Sequence, residues 1–179
     1  MGDNLAAVNL GTGRKAVSVC VGVHHSCAVL DNAAIKCWGV NEEGQLGQGD
    51  RVDRGASAND MGDNLPQVNL GTGARALEVT CGKDFTCALL ESGAVKCWGA
   101  NTHGQLGMGD VLSRGWVPSD LGDNLPALDL GGRAAGLAAG DHHACARLEG
   151  GDLKCWGANG AGQLGRGDSA HYGGAPWHM

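Results

Sequence analysis

Helical periodicity is lacking: no segment longer than ten residues repeats its apolar side chains at helical spacing. Long hydrophobic runs are lacking too. None approaches the ~18 apolar residues that span a bilayer as a helix. No charged n-region followed by an apolar h-region opens the chain, so the sequence shows no signal peptide. A basic surplus is missing, since 13 Lys and Arg face 19 Asp and Glu for a formal charge of −6. An acidic chain lacks the broad phosphate-binding surface that nucleic acid demands, so nucleic acid is not an expected partner. Aromatic residues are only 4%, but the hydrophobic fraction of 42% still allows a packed core, which argues against disorder.

What the chain has in excess is glycine, at 33 of 179 residues, and internal repetition. Gly-Asp-Asn-Leu starts at Gly2, Gly62 and Gly122, Cys-Trp-Gly at Cys37, Cys97 and Cys155, and Gly-Gln-Leu-Gly at Gly44, Gly104 and Gly162. The offset is 60 residues between the first two copies, and falls to 58 in the third after Gly132. The expected units are residues 1–60, 61–120 and 121–179, each with a charge near −2. Met1 fills the slot of Met61 and Leu121, and Met179 falls in it again, so the chain reads as an excerpt of a longer array.

Within a unit the alternation has period two, which predicts strands. Val17, Val19 and Val21 share one face, with Ala16, Ser18 and Cys20 on the other. A hairpin follows, with Ser26–Leu30 and Ala34–Trp38 flanking the loop Asp31-Asn32-Ala33. Such three-residue loops end in a left-handed residue, which Gly93 and Gly151 supply in the other copies and Ala33 does not. A short fourth strand is expected near Gln67–Leu70 and Ala127–Leu130. About four antiparallel strands per unit, three times over, predict an all-β chain of three β-propeller blades, fewer than the four to eight that close a ring.

His-Ser-Cys-Ala-Val-Leu, Lys-Cys-Trp-Gly and Asn-Glu-Glu-Gly-Gln-Leu-Gly-Gln-Gly-Asp, with their copies, resemble the repeats of the regulator of chromosome condensation family. The resemblance covers every unit and implies blades of a seven-bladed propeller. The family also contains a nucleotide-exchange factor that works through a wedge inserted in a blade, and a plant ultraviolet-B photoreceptor that uses tryptophan clusters. The near-uniform repeats carry neither the insertion nor the extra tryptophan motif, so neither activity is carried over.

In the hairpin register Leu30 faces Ala34, Val29 faces Ile35 and Cys27 faces Cys37. The repeated pairs Cys27/Cys37, Cys87/Cys97 and Cys145/Cys155 are therefore expected as cross-strand disulfides. The alternatives are buried thiols packing as small hydrophobes, or a zinc site that the spacing does not favour. Cys20 and Cys81 occupy adjacent slots and so point to opposite faces of their blades. They meet between blades one and two, or point apart. Disulfides favour an oxidising compartment: secreted, cell-surface or within an organelle lumen.

Trp38, Trp98 and Trp156 are expected to pack between blades. His24-His25 and His142-His143 read as blade-edge hydrogen-bonding groups, since the second copy has Asp84-Phe85. Asp3, Asp63, Asp123, Asp50, Asp110 and Asp168 read as turn formers, with calcium binding as the alternative. Arg166-Gly167-Asp168 sits in the slot of Gln48-Gly49-Asp50 and is read as chance. The expectation is a non-enzymatic scaffold or protein-recognition surface with no cofactor. A structural subunit in a larger assembly is the alternative. The partners would be proteins, further copies of the chain, or further repeats that complete a ring.

Overall fold

In the computed structural model, which describes residues 4–178, the chain is all-β, in three sheets of three antiparallel strands. Blade 1 comprises β1 (Ala16–Val21), β2 (His25–Leu30) and β3 (Ile35–Gly39). Blade 2 comprises β4 (Ala76–Cys81), β5 (Phe85–Leu90) and β6 (Val95–Gly99), and blade 3 β7 (Ala134–Ala139), β8 (His143–Leu148) and β9 (Leu153–Gly157). Each sheet is a meander in chain order. The only helical pieces among the described residues are single 3-10 turns, such as Ala58–Asp60 and Gly62–Asn64.

The hairpin loop sets the register. Val29 pairs with Ile35 and Cys27 with Cys37, and the same pairing recurs in blades 2 and 3. Ala33 closes its loop at φ 65°, where Gly93 has φ 79° and Gly151 φ 94°. A Cβ is strained in that region. Ala33→Gly is therefore expected to raise stability by up to ~1 kcal/mol, and Gly151→Ala, whose added methyl would meet no atom within 4 Å, to lower it by a similar amount. Urea midpoints of the two variants moving in the same direction would refute this.

Two expectations need correction. The fourth strand is absent: Gln67–Leu70 and Ala127–Leu130 run extended beside β3 and β6 but form no ladder. One backbone bond attaches each, Val68 N–H to the Ile35 carbonyl and Leu128 N–H to the Val95 carbonyl, both at 2.9 Å. In the first segment two carbonyls are engaged elsewhere. That of Asn69 accepts from Gly122 N–H, and that of Leu70 accepts from the Lys96 ammonium at 2.8 Å. The first strand of each blade also breaks strict alternation. A bulge inserts one residue at Val17, Leu77 and Ala135. Because a bulge shifts the pleat by one, Ala16 lies on the Val19 and Val21 face rather than with Ser18 and Cys20.

The core lies between blades, not within them. Cys27, Val29, Ile35 and Cys37 of blade 1 pack on Val79, Cys81, Ala88, Leu90 and Trp98 of blade 2. The opposite face of blade 2, with Phe85, Leu89 and Val95, packs on Ala144, Ala146, Leu148 and Trp156 of blade 3. A blade therefore has two unlike faces, and stacking is directional.

Candidate functional site at the blade interfaces

Cross-strand neighbours in an antiparallel ladder can stand close enough to bond. Cys27–Cys37, Cys87–Cys97 and Cys145–Cys155 are disulfides, each with its Cα atoms 4.1 Å apart. The first two are fully buried, and the third is half-buried on the outer face of blade 3. Cys20 of β1 and Cys81 of β4 are bonded across the blade 1–2 interface, Cα to Cα 5.5 Å. No cysteine among the described residues is free.

The tryptophans divide. Trp98 and Trp156 are buried between blades, and each indole N–H donates to a main-chain carbonyl of the preceding blade: Trp98 Nε1 to Gln45 O at 3.0 Å and Trp156 Nε1 to Gln105 O at 2.9 Å. Trp38 differs from expectation. It is only half-buried, because no blade stacks on that face, and it lies beside Gly55 and Met61. Gly47 is required where Trp98 docks, since a Cβ there would lie 2.7 Å from Trp98 Nε1. In blade 3 the equivalent Gly165 has no atom within 4 Å of that position.

The loop carboxylates are engaged in building the loops. Asp50 Oδ1 and Oδ2 accept from Arg54 at 2.9 and 2.6 Å, and Asn41 Nδ2 donates to Asp50 Oδ1 at 3.1 Å. The Arg54 hydrogen bond is the main cause holding the Asp50 carboxyl below its ordinary range. Asp110 and Arg114 repeat the pair, while in blade 3 the Tyr172 hydroxyl donates to Asp168 at 2.9 Å. Asp63 accepts from Thr12 N–H at 2.9 Å and Thr12 Oγ1 at 2.6 Å, and Asp123 does the same with Thr72. Asp3 lies outside the described residues. Arg166 of the Arg-Gly-Asp triplet stacks over the Tyr172 ring at 3.9 Å.

The histidines separate by burial. His25 is 3% exposed, and its Nε2 lies 2.9 Å from Thr86 Oγ1, which donates to Gln45 O. Burial pushes its pKa down to about 4, with Asp84 partly opposing. His142 belongs to a group that the sequence did not suggest. His103, on a loop of blade 2, has its ring 5.0 Å from that of His142 and 5.3 Å from that of His171. Burial and these two neighbours lower the His103 pKa. No repeat carries all three at matching positions, so no sequence pattern announced them.

The outer faces of blades 1 and 3 carry the counterparts of these interface groups. On blade 1, Val19 and Val21 are 65% and 71% exposed, whereas Val79 and Cys81 in the same slots of blade 2 are buried. The segment ahead of β1 exposes Leu5 and Val8, whose equivalents Leu65 and Val68 are buried, Val68 in the cluster that includes Ile35 of blade 1. On blade 3, Leu153 is 67% exposed where Ile35 and Val95 are fully buried. Beside it runs a groove of about 650 Å³ lined by Leu153, Lys154, Cys155, Leu164, Gly165 and Trp177 among others. In blades 1 and 2 this position holds the segments around Val68 and Leu128.

Comparison with known proteins agrees with this architecture. The regulator of chromosome condensation (RCC1) repeat matches residues 16–45, 77–105 and 135–163 in one form, and 37–89 and 92–147 in another. The ultraviolet-B receptor UVR8 of Arabidopsis thaliana is 37% identical over 158 residues, covering 87% of this chain and 32% of the receptor. The mitochondrial RCC1 domain-containing protein RUG3 of the same plant is 35% identical over 143 residues, covering 79% of this chain and 30% of its own length. The chain thus spans about a third of these relatives. Human WBSCR16 superposes with a TM-score of 0.72 at 22% identity, covering 92% of this chain and 41% of that one. Yeast RCC1 (Prp20) in its structure with Kap60 superposes with a TM-score of 0.66 at 20% identity, covering 88% and 35%. Matched in every blade by the same repeat, with Cys-Trp-Gly on each third strand, the chain belongs to the RCC1 repeat family.

Proposed function

We propose that the chain is a non-catalytic protein-recognition scaffold whose outer blade faces take further blades of the same repeat type, so that it acts as a structural part of a larger propeller assembly. The observation that carries this reading is the complementarity of the two outer faces. Blade 3 offers the groove beside Leu153, a main-chain edge on β9, and the Gln163 carbonyl in the slot of Gln45 and Gln105. Blade 1 offers Val8, Val21 and Trp38, in the slots of Val68, Cys81 and Trp98. An incoming blade 1 would place Val8 N–H on the Leu153 carbonyl and Trp38 Nε1 on the Gln163 carbonyl, repeating both internal junctions. Unlike faces meeting in this way make a heterologous contact that extends or closes with added units. The disulfides favour an oxidising compartment for that assembly.

Slots across the proposed junction give the test. Cys20 and Cys81 bond across the first internal junction, and the corresponding slots of an outer junction are Ala138 on blade 3 and Val21 on blade 1. Mixing Ala138→Cys protein with Val21→Cys protein under mild oxidation is expected to give mainly a one-to-one covalent pair linked through these two positions. Random homodimers, or no linkage at concentrations where the unmodified chain is concentrated and folded, would overturn the reading.

A second surface favours recognition of a different protein partner. The loops following Asp50 and Asp110 expose Val52, Leu112, Trp116 and Val117, and Arg51 stacks over the Trp116 ring at 4.7 Å. Tryptophan and arginine are the side chains most enriched at binding hot spots.

A further inference from the structure

We propose that Cys20, Cys27, Cys37 and Cys81 form one thiol–disulfide exchange site, in which electrons delivered by a dithiol to the inter-blade bond Cys20–Cys81 are relayed to the buried bond Cys27–Cys37. The site arises from the register of blade 1. Cys20 is the β-ladder partner of Cys27, and Cys27 is the partner of Cys37, so the three stand in one row across β1, β2 and β3. Ladder partners project to the same face of a sheet, here the face turned to blade 2, where Cys81 meets them. The sulfurs of Cys20, Cys27 and Cys81 all lie within 4.8 Å of one another. Cys27 therefore has two neighbouring partners, the cysteine on β3 and the cysteine on β1.

Burial gives the relay a direction. Cys27 and Cys37 are fully buried and Cys81 nearly so, whereas Cys20 is half-buried. A reductant in solution reaches the group through Cys20. One thiolate of a dithiol attacks Cys20 Sγ, the Cys20–Cys81 bond breaks, and its electron pair leaves on Cys81, which takes up a proton. The second thiol of the reductant attacks the mixed disulfide, releasing Cys20 as a thiolate and the reductant as its own disulfide. Two electrons have then entered the protein. The Cys20 thiolate next attacks Cys27 Sγ: a Cys20–Cys27 bond forms, the Cys27–Cys37 bond breaks, and Cys37 leaves as thiolate. This last step is an isomerisation with no net redox change, and it carries a buried disulfide to a position the solvent can reach. A second dithiol reduces Cys20–Cys27 in the same way. Access and the identity of the attacked sulfur govern such exchange.

Blade 2 supplies the internal control. Its row is Thr80, Cys87 and Cys97, so an equally buried disulfide lacks a neighbouring thiol. The whole chain is treated with dithiothreitol under native conditions, quenched at intervals with an alkylating agent, and mapped as peptides. Cys20 and Cys81 are expected to be labelled first. Cys27 and Cys37 should follow at least about tenfold faster than Cys87 and Cys97. In a Cys20→Ser/Cys81→Ser variant the Cys27–Cys37 bond should slow to the rate of Cys87–Cys97. Equal rates in the unmodified chain, or an unchanged Cys27–Cys37 rate in the double variant, overturn the proposal. An equilibrium measurement is independent of these kinetics. Cys37→Ser should contain a Cys20–Cys27 linked peptide beside Cys20–Cys81, whereas Cys97→Ser leaves Cys87 unpaired. A Cys37→Ser protein holding only Cys20–Cys81 also overturns it.

Discussion

Trp98→Ala is expected to lower the unfolding free energy by about 3–5 kcal/mol, the range for removing a large aromatic from a packed core. Trp98 is fully buried between blades 1 and 2, and truncation also leaves the Gln45 carbonyl with one donor fewer. Thr86 Oγ1 still donates to that carbonyl, so the acceptor is not orphaned. The dominant loss is packing: Gly47, Leu46 and Val68 would face a cavity. Trp38→Ala provides the contrast. The same residue of the same motif, half-buried on the outer face of blade 1, should cost well under half as much, because little apolar area is returned to water. Chemical denaturation of the two variants decides the matter. Equal losses would mean that the core is not located between the blades.

The second large effect is on acid stability. His25 has its pKa lowered from 6.5 to about 4 in the folded protein, chiefly by burial. The sign follows from proton uptake. Above pH 6.5 both folded and unfolded chains hold His25 neutral, and it contributes no pH dependence. Between 6.5 and about 4 the unfolded chain binds a proton that the folded chain refuses, so stability falls as the pH falls. The loss levels off below about pH 4 at roughly 3 kcal/mol, each pKa unit being worth about 1.4 kcal/mol. His103, also lowered by burial and its two histidine neighbours, adds to the loss that begins below pH 6.5. Asp50 and Asp110 have lowered folded values, so their stabilisation is present above the unfolded carboxylate pKa and lost at still lower pH. The slots in the other blades suggest the decisive variant. Phe85 occupies the slot of His25 in blade 2 and is fully buried there. His25→Phe adds volume and gives up the contact with Thr86 Oγ1, so it should cost about 1–3 kcal/mol at neutral pH, and should remove most of the slope between pH 6.5 and 4. A variant with an undiminished slope would show that other groups govern the acid response.

Local signals made much of this architecture legible in the sequence. The three-residue loop with glycine at its third place in two copies fixed the hairpin, and the hairpin fixed Cys27 opposite Cys37. Counting faces placed Cys20 and Cys81 on opposite sides of adjacent blades, but the direction of stacking is a tertiary fact that alternation does not encode. The fourth strand does not form although its extended pattern is real. Each segment is held to the preceding third strand by one backbone bond, and in the first the Asn69 and Leu70 carbonyls are taken by Gly122 and Lys96, residues more than 20 positions away. The bulges escaped because Val17 and Leu77 are apolar and continue the alternation by residue type alone. The histidine group at His103, His142 and His171 is assembled from loops of two blades and repeats nowhere, so no periodicity pointed to it.

The single inter-blade bond Cys20–Cys81 also makes the chain mechanically uneven. It closes a loop with a sequence separation of 61 residues, while the junction of blades 2 and 3 has Thr80 and Ala139 in those slots. Under tension applied at its ends, the segment between Cys20 and Cys81, which includes β2 and β3, carries no load while the bond is intact, whereas β5, β6 and blade 3 lie in the loaded path. Even fully extended, the oxidised chain withholds on the order of 200 Å of contour length that only a reductant can release.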